Sequence, residues 1–166
     1  MDDRAPAGVS VRPLVQEDWP AVHEIYRQGI REGATFATDA PSWEEWDAAH
    51  TLRVVASEDD EVLGWAALSP ISPRHVYRGV GRDAVYVAAK ARGHGIGRRL
   101  MDGLIEAAER EGIWTIEAWM FPENSASVEL HKRCGFRVVG VRERLGQRDG
   151  VWRDVLLMER RSKEVS

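Results

Sequence analysis

The chain has almost no cysteine. A single Cys134 in 166 residues excludes an intramolecular disulfide and a cysteine metal cluster, so no metal site is expected. It also lacks any apolar run approaching the length of a membrane span. Residues 1–8 are a short polar lead without the apolar centre of a signal peptide, which leads us to expect a protein of the reducing cytoplasm with no membrane partner. Neither sign of charge dominates. Twenty-three basic and 27 acidic residues leave a formal charge of -4, and the basic ones are scattered, so no nucleic-acid surface is expected. Repeats and low-complexity segments are absent too. What is left, 43% apolar and 30% charged, is an ordinary globular composition. It fits one domain over residues 9–160 with flexible ends at 1–8 and 161–166.

Periodicity then divides the chain into elements. Residues 9–14 alternate as a strand does, and Asp18 caps a helix with Pro20 in its first turn, whose apolar face is Val22, Ile25, Tyr26, Gly29 and Ile30. Ser42 and Glu45 form a capping box that opens a second helix through about His50. Residues 52–57 and 62–68 read as a hairpin, 82–88 as a central strand, and 114–120 as another. Between the last two runs a long helix ends at Gly112; a further helix opens at Asn124 and closes at Gly135. Residues 136–145 and 151–159 make a final hairpin around Asp149-Gly150. The order β-α-α-β-β-β-α-β-α-β-β is not strictly alternating. It argues for an α+β fold, a mixed and mainly antiparallel central sheet flanked by helices on both faces.

The most informative stretch is residues 85–98, where a β-rich run breaks into a loop carrying Gly93, Gly95 and Gly97 and passes straight into a helical pattern. Such a junction presents unpaired backbone N–H groups and the positive end of a helix dipole, and glycines let a ligand approach closely, so its natural guest is a phosphate. The spacing is not the G-x-G-x-x-G of dinucleotide sites, and no Gly-Lys-Ser/Thr follows as a Walker loop requires. Arg92-Gly93-His94-Gly95-Ile96-Gly97 instead resembles the R/Q-x-x-G-x-G/A loop of the GNAT superfamily of acyl-CoA N-acyltransferases. Segments Tyr26-Arg27-Gln28-Gly29-Ile30, Ala34-Thr35-Phe36-Ala37-Thr38, Asn124-Ser125-Ala126-Ser127 and Leu130-His131-Lys132-Arg133-Cys134-Gly135-Phe136 are similar to those of the phosphinothricin and methionine sulfoximine N-acetyltransferases. So is Gly150-Val151-Trp152-Arg153-Asp154-Val155.

The resemblance implies a GNAT-like fold and an acetyl-CoA-dependent enzyme that acetylates the α-amine of a small glutamate-like amino acid by direct attack, with no acyl-enzyme. Cys134 is accordingly expected to pack the core. The backbone of Val85, Tyr86 and Val87 would hold the pantetheine arm, and the N–H groups of Gly93, His94, Gly95, Ile96, Gly97 and Arg98 the pyrophosphate, with Arg92 adding charge. Asn124 is a good N-cap on its own account, and by resemblance it also contacts the coenzyme. His131 stands where many members place a tyrosine that protonates the departing thiolate, work an imidazole titrating near neutrality can do.

One position departs from the pattern. Relatives carry a glutamate, the proposed general base, three residues before the Val-Tyr-Val strand, and this chain has Arg82, which cannot act as a base. Asp83 is adjacent but faces the other way on a regular strand, so it replaces that carboxylate only if a bulge shifts the register. Either water takes the amine proton, with transfer through Asp83 or His131, or Arg82 turns the pocket toward an anionic substrate group, the reading preferred here. Arg74 and Tyr77, with Arg78 in reserve, are further substrate candidates, and Phe36 with residues 32–38 closes the opposite wall. Trp43, Trp46 and Trp152, with the resemblance, suggest a homodimer. Protein or peptide N-acetylation and a non-catalytic acetyl-CoA-binding module remain the alternatives.

Overall fold

A computed structural model describes residues 6–166. Of the lead expected at residues 1–8, residues 1–5 lie outside the described residues. The strands are β1 (Ser10–Pro13), β2 (Leu52–Glu58), β3 (Glu61–Pro70), β4 (Val80–Val87), β5 (Thr115–Met120), β6 (Arg137–Arg148) and β7 (Val151–Arg161). The helices are α1 (Trp19–Arg31), α2 (Trp43–Ala49), α3 (Ile96–Arg110) and α4 (Ser125–Arg133). Element order is the one read from periodicity. The seven strands form one sheet in the order β1-β2-β3-β4-β5-β7-β6, antiparallel except for β4 beside β5.

Strand alternation assigns the two faces. Gly64 of β3 lies under Leu100 of α3, so close that a Cβ there would come within 2.9 Å of Cδ1. The next residue, Trp65, points to the opposite face and meets Tyr26 of α1 and Trp46 of α2. Helices α1 and α2 therefore cover one face and α3 the other. The first face is lined by aromatic rings, Trp19, Trp43, Trp46, Tyr26, Trp65 and Tyr86, in edge-on and stacked contacts. The second is filled by the buried stripe Ile96, Leu100, Met101, Leu104 and Ala108 of α3.

Local signals mostly act where expected. Ser42 and Glu45 close the capping box, worth roughly 1 kcal/mol. Helix α3 ends before Gly112 and α4 before Gly135, both at positive φ. The β6–β7 hairpin turns at Asp149 and Gly150, also with positive φ at both residues. One reading needs correction. The Asp18 side chain does not cap α1; it accepts from Arg12 at 2.7 Å and from the Val15 N–H at 2.9 Å, closing the 3₁₀ turn of residues 16–18. At the C-terminal end Ser162 donates its N–H to the Trp114 carbonyl at 2.8 Å and its hydroxyl to Glu109 at 2.8 Å.

Candidate active site

The site begins with an interrupted ladder. β4 and β5 share only the rungs Val80 with Thr115, Gly81 with Ile116 and Arg82 with Glu117. Beyond Arg82, β4 pairs only with β3, and beyond Glu117, β5 pairs only with β7. The sheet therefore opens into a slot whose β4 edge, residues 83–87, offers strand backbone with no strand beside it. An extended chain bearing amide groups is the complement of such an edge. Val85, Tyr86 and Val87 lie along it; the Tyr86 ring is committed to the stack on Trp65.

At the far end of β4 the glycine loop leads into α3. Gly93 and Gly95 have φ of 76° and 74°, which favours glycine at both, and a Cβ on Gly93 would meet nothing within 4 Å. Gly95 is the N-cap of α3 and no side chain caps it, so the first-turn N–H groups, from Ile96 on, offer the arrangement that suits a phosphate. Gly97 serves a different end: a Cβ there would lie 3.2 Å from Leu130, so its role is close packing of α3 on α4. His94 is exposed in the loop. Arg92 donates to the Val87 carbonyl at 3.0 Å and pairs with Glu32 at 2.7 Å, while Arg98 pairs with Asp102 at 2.9 Å and reaches the Arg133 carbonyl. Both guanidiniums brace the loop and α3.

The slot has chemistry on each face. Toward α3 and α4 points Asp83, whose Oδ2 lies 2.9 Å from Nε2 of His131, each side chain only 4% exposed. Nδ1 of His131 donates to the Ser127 carbonyl at 2.7 Å, since a carbonyl can only accept. Nε2 therefore needs a second proton to bond the Asp83 carboxylate, and the pair holds one proton between them. Burial opposes the imidazolium, but the charge and hydrogen bond of Asp83 and the Ser127 carbonyl outweigh it, holding the His131 pKa above its ordinary value. The α4 N-cap is Asn124, whose Oδ1 accepts from the Ser127 N–H at 3.2 Å. This fixes the turn carrying both Ser127 and, one turn on, His131.

Toward α1 and α2 the same strand presents Arg82. Its register with β3 is continuous through Arg82 and Asp83, so no bulge swings Asp83 to this face. The Arg82 guanidinium lies 4.6 Å over Trp119 of β5, and Arg142 of β6 lies 5.1 Å from the same ring. Phe36, from the α1–α2 loop, packs on Gly146 of β6 and edge-on to Phe121 at 4.9 Å. Arg148 of β6 fastens that loop by donating to the carbonyls of Ile30, at 2.7 Å, and Thr35. Arg74 and Tyr77 stand apart on the exposed β3–β4 connection, 5.9 Å from guanidinium to ring. Arg78 lies over Trp114 and borders a hollow of about 220 Å³ at the opposite end of β4 from the glycine loop. Cys134 is buried, and burial pushes its thiol up to about 11, which makes it no nucleophile.

Glu117, Trp119, Arg142 and Arg148 are absent from the sequence reading. Alternation along residues 115–120 would have placed Glu117 and Trp119 on one face. Nothing local says which β4 residue stands opposite them.

A family model described as the acetyltransferase (GNAT) family matches residues 12–136. The chain belongs to the GNAT acetyltransferase family. It is 36% identical to the phosphinothricin N-acetyltransferase of Streptomyces coelicolor over 93% of this chain and 96% of that one. It is 30% identical to the L-methionine sulfoximine/L-methionine sulfone acetyltransferase of Pseudomonas aeruginosa, covering 90% of this chain and 92% of the relative. Among solved structures, a GNAT phosphinothricin acetyltransferase from Sinorhizobium meliloti in complex with acetyl-CoA superposes with a TM-score of 0.85. The two share 28% identity, over 96% of this chain and 91% of that one. This GNAT protein is an acetyl-CoA-dependent acyltransferase, and the slot, the open α3 N-terminus and the space at Gly93 have the shape and chemistry that such a co-substrate requires.

Proposed function

We propose that this GNAT enzyme acetylates the α-amine of a small glutamate-like amino acid of the phosphinothricin, methionine sulfoximine or sulfone, or arsenic-analogue class. The observation that carries the reading is the two-sided slot. A proton-holding His131–Asp83 pair faces one side, and Arg82, Arg142 and aromatic rings face the other. The names of the relatives support the same substrate class.

Acetyl-CoA supplies an activated acetyl thioester. The β4 edge at Val85, Tyr86 and Val87 holds its arm; the α3 N-terminus with Gly93 to Gly97 holds its phosphates, and Asn124 flanks the arm. His131 gives the proton on Nε2 to the departing sulfur, and Asp83 keeps that proton available. Arg82, with Arg142, meets the anionic side chain of the substrate. Phe36 closes the wall, and Arg74 and Tyr77, on the β3–β4 connection, are kept as candidate contacts for the substrate carboxylate. Direct transfer to the amine needs no protein nucleophile, in keeping with the high thiol pKa of Cys134. A homodimer is part of the proposal, since Val138, Val139 and Val141 of the edge strand β6 are exposed, as is Trp152.

The test is acetyl-CoA consumption against phosphinothricin, methionine sulfoximine, free amino acids and peptides, beside calorimetric binding of acetyl-CoA. Turnover on the first two is expected. Turnover on peptides alone refutes the substrate class, and binding without any turnover refutes the transfer reaction.

A further inference from the structure

With Arg82 in place of the carboxylate that the family resemblance implies, no β4 side chain on the α1–α2 face can take a proton from the substrate ammonium. Asp83 is occupied with His131 on the other face. The rung register supplies an alternative. Glu117 of β5 is the parallel partner of Arg82, in the last rung before the strands part. Side chains of a rung share a face, and the contact of Arg82 with Trp119, two residues beyond Glu117, shows that the face is the same here. One Glu117 oxygen, Oε2, accepts from the Trp119 indole N–H at 3.1 Å, which orients the carboxylate, while the Trp119 ring holds the Arg82 guanidinium.

We propose that Glu117 is the general base of this enzyme, acting from β5 in the rung that faces Arg82. The inference rests on the proposed N-acetyl transfer. Glu117 takes one proton from the substrate ammonium, directly or through one water, and the freed nitrogen forms the C–N bond to the acetyl carbon. The C–S bond breaks, and His131 gives its proton to the sulfur. The nitrogen loses two protons in all, both taken in turn by Glu117 and passed to solvent, and His131 recovers one from solvent; the net result is one proton on sulfur and one released.

The other groups on this face are less suited. Arg82 and Arg142 cannot be bases; Glu159, the β7 partner of Glu117, is held in an ion pair with Arg137; and His50, at the end of α2, has Nδ1 bonded to the Trp46 carbonyl at 2.7 Å and its ring packed against Trp46. Burial, with the charges of Arg53 and Arg82, lowers the His50 pKa, so it is the rival worth testing.

The experiment compares wild type, Glu117→Gln, Glu117→Gln/Arg82→Glu and His50→Gln. Glutamine retains an acceptor for the Trp119 indole, so the melting temperature and the calorimetric acetyl-CoA affinity should match wild type. For Glu117→Gln, kcat should fall by about a hundredfold at pH 7, and the deficit should shrink toward pH 9, where free amine no longer needs a base. The double variant, which returns a carboxylate to β4, should regain at least tenfold of that kcat. An active wild type matched by Glu117→Gln overturns this inference and leaves the acetyl-transfer reading intact. So does a pH-independent deficit without rescue, or a hundredfold loss in His50→Gln alone. A wild type that binds acetyl-CoA and turns over no amine overturns both.

Discussion

Asp83→Asn tests the buried pair with the least disturbance of packing. In the wild type, Nδ1 of His131 is spent on the Ser127 carbonyl and Nε2 faces Asp83 at 2.9 Å, so the second ring proton exists because the carboxylate attracts it. An asparagine of the same shape offers its NH₂ to Nε2 and has no charge. Burial then prevails and the imidazole is neutral. The enzyme loses the acid that protonates the leaving sulfur, which should lower kcat by roughly 10²- to 10⁴-fold at pH 7, with the KM for acetyl-CoA changed less than about threefold. The pH profile carries the sign. A raised pKa keeps the wild-type acid form present above the ordinary histidine value, and kcat declines only as pH rises through the raised value. In Asp83→Asn the decline should begin at lower pH. Stability is linked in the same direction: the pair contributes fully below the unfolded histidine pKa of about 6.5, and the contribution is lost as pH rises through the folded one. Asp83→Ala, which strands a buried partner, should cost roughly 3–5 kcal/mol, more than the asparagine variant. Steady-state kinetics and thermal melts over pH 5–9 measure all of this. An Asp83→Asn enzyme with wild-type kcat and an unmoved alkaline limb would refute the reasoning.

Gly95→Val forces a β-branched residue into φ of 74° at the α3 N-cap, and it should weaken acetyl-CoA binding at least tenfold by calorimetry while the fold still melts cooperatively. Light scattering at micromolar concentration should give twice the chain mass of 18.7 kDa; a monomer would remove the dimer from the proposal.

Much of the fold was legible because its signals are local. A capping box, left-handed glycines after two helices, and the Asp149-Gly150 turn each act within a few residues. The phosphate loop belongs to the same class, since strand, glycines and helix are consecutive. The misreading was of a partner outside the helix that Asp18 was expected to cap. Asp18 has the makings of a helix cap, but Arg12 lies near enough in the fold to claim its carboxylate at 2.7 Å. Contacts between distant residues, such as those of Ser162 with the Trp114 carbonyl and Glu109, are beyond any composition rule.

The sequence by itself determined the strand and helix order, the glycine loop, and the residue types that carry acid and charge, because these depend on side-chain chemistry and short-range backbone preference. It also placed Arg82 and Asp83 on opposite faces through strand alternation. Tertiary structure alone decided what they meet there. His131 comes to Asp83 from 48 residues away, and Glu117 stands beside Arg82 through a rung of the only parallel strand pair among the described residues. Parallel register depends on how α3 packs across the sheet between the two strands, and that is settled by the whole core.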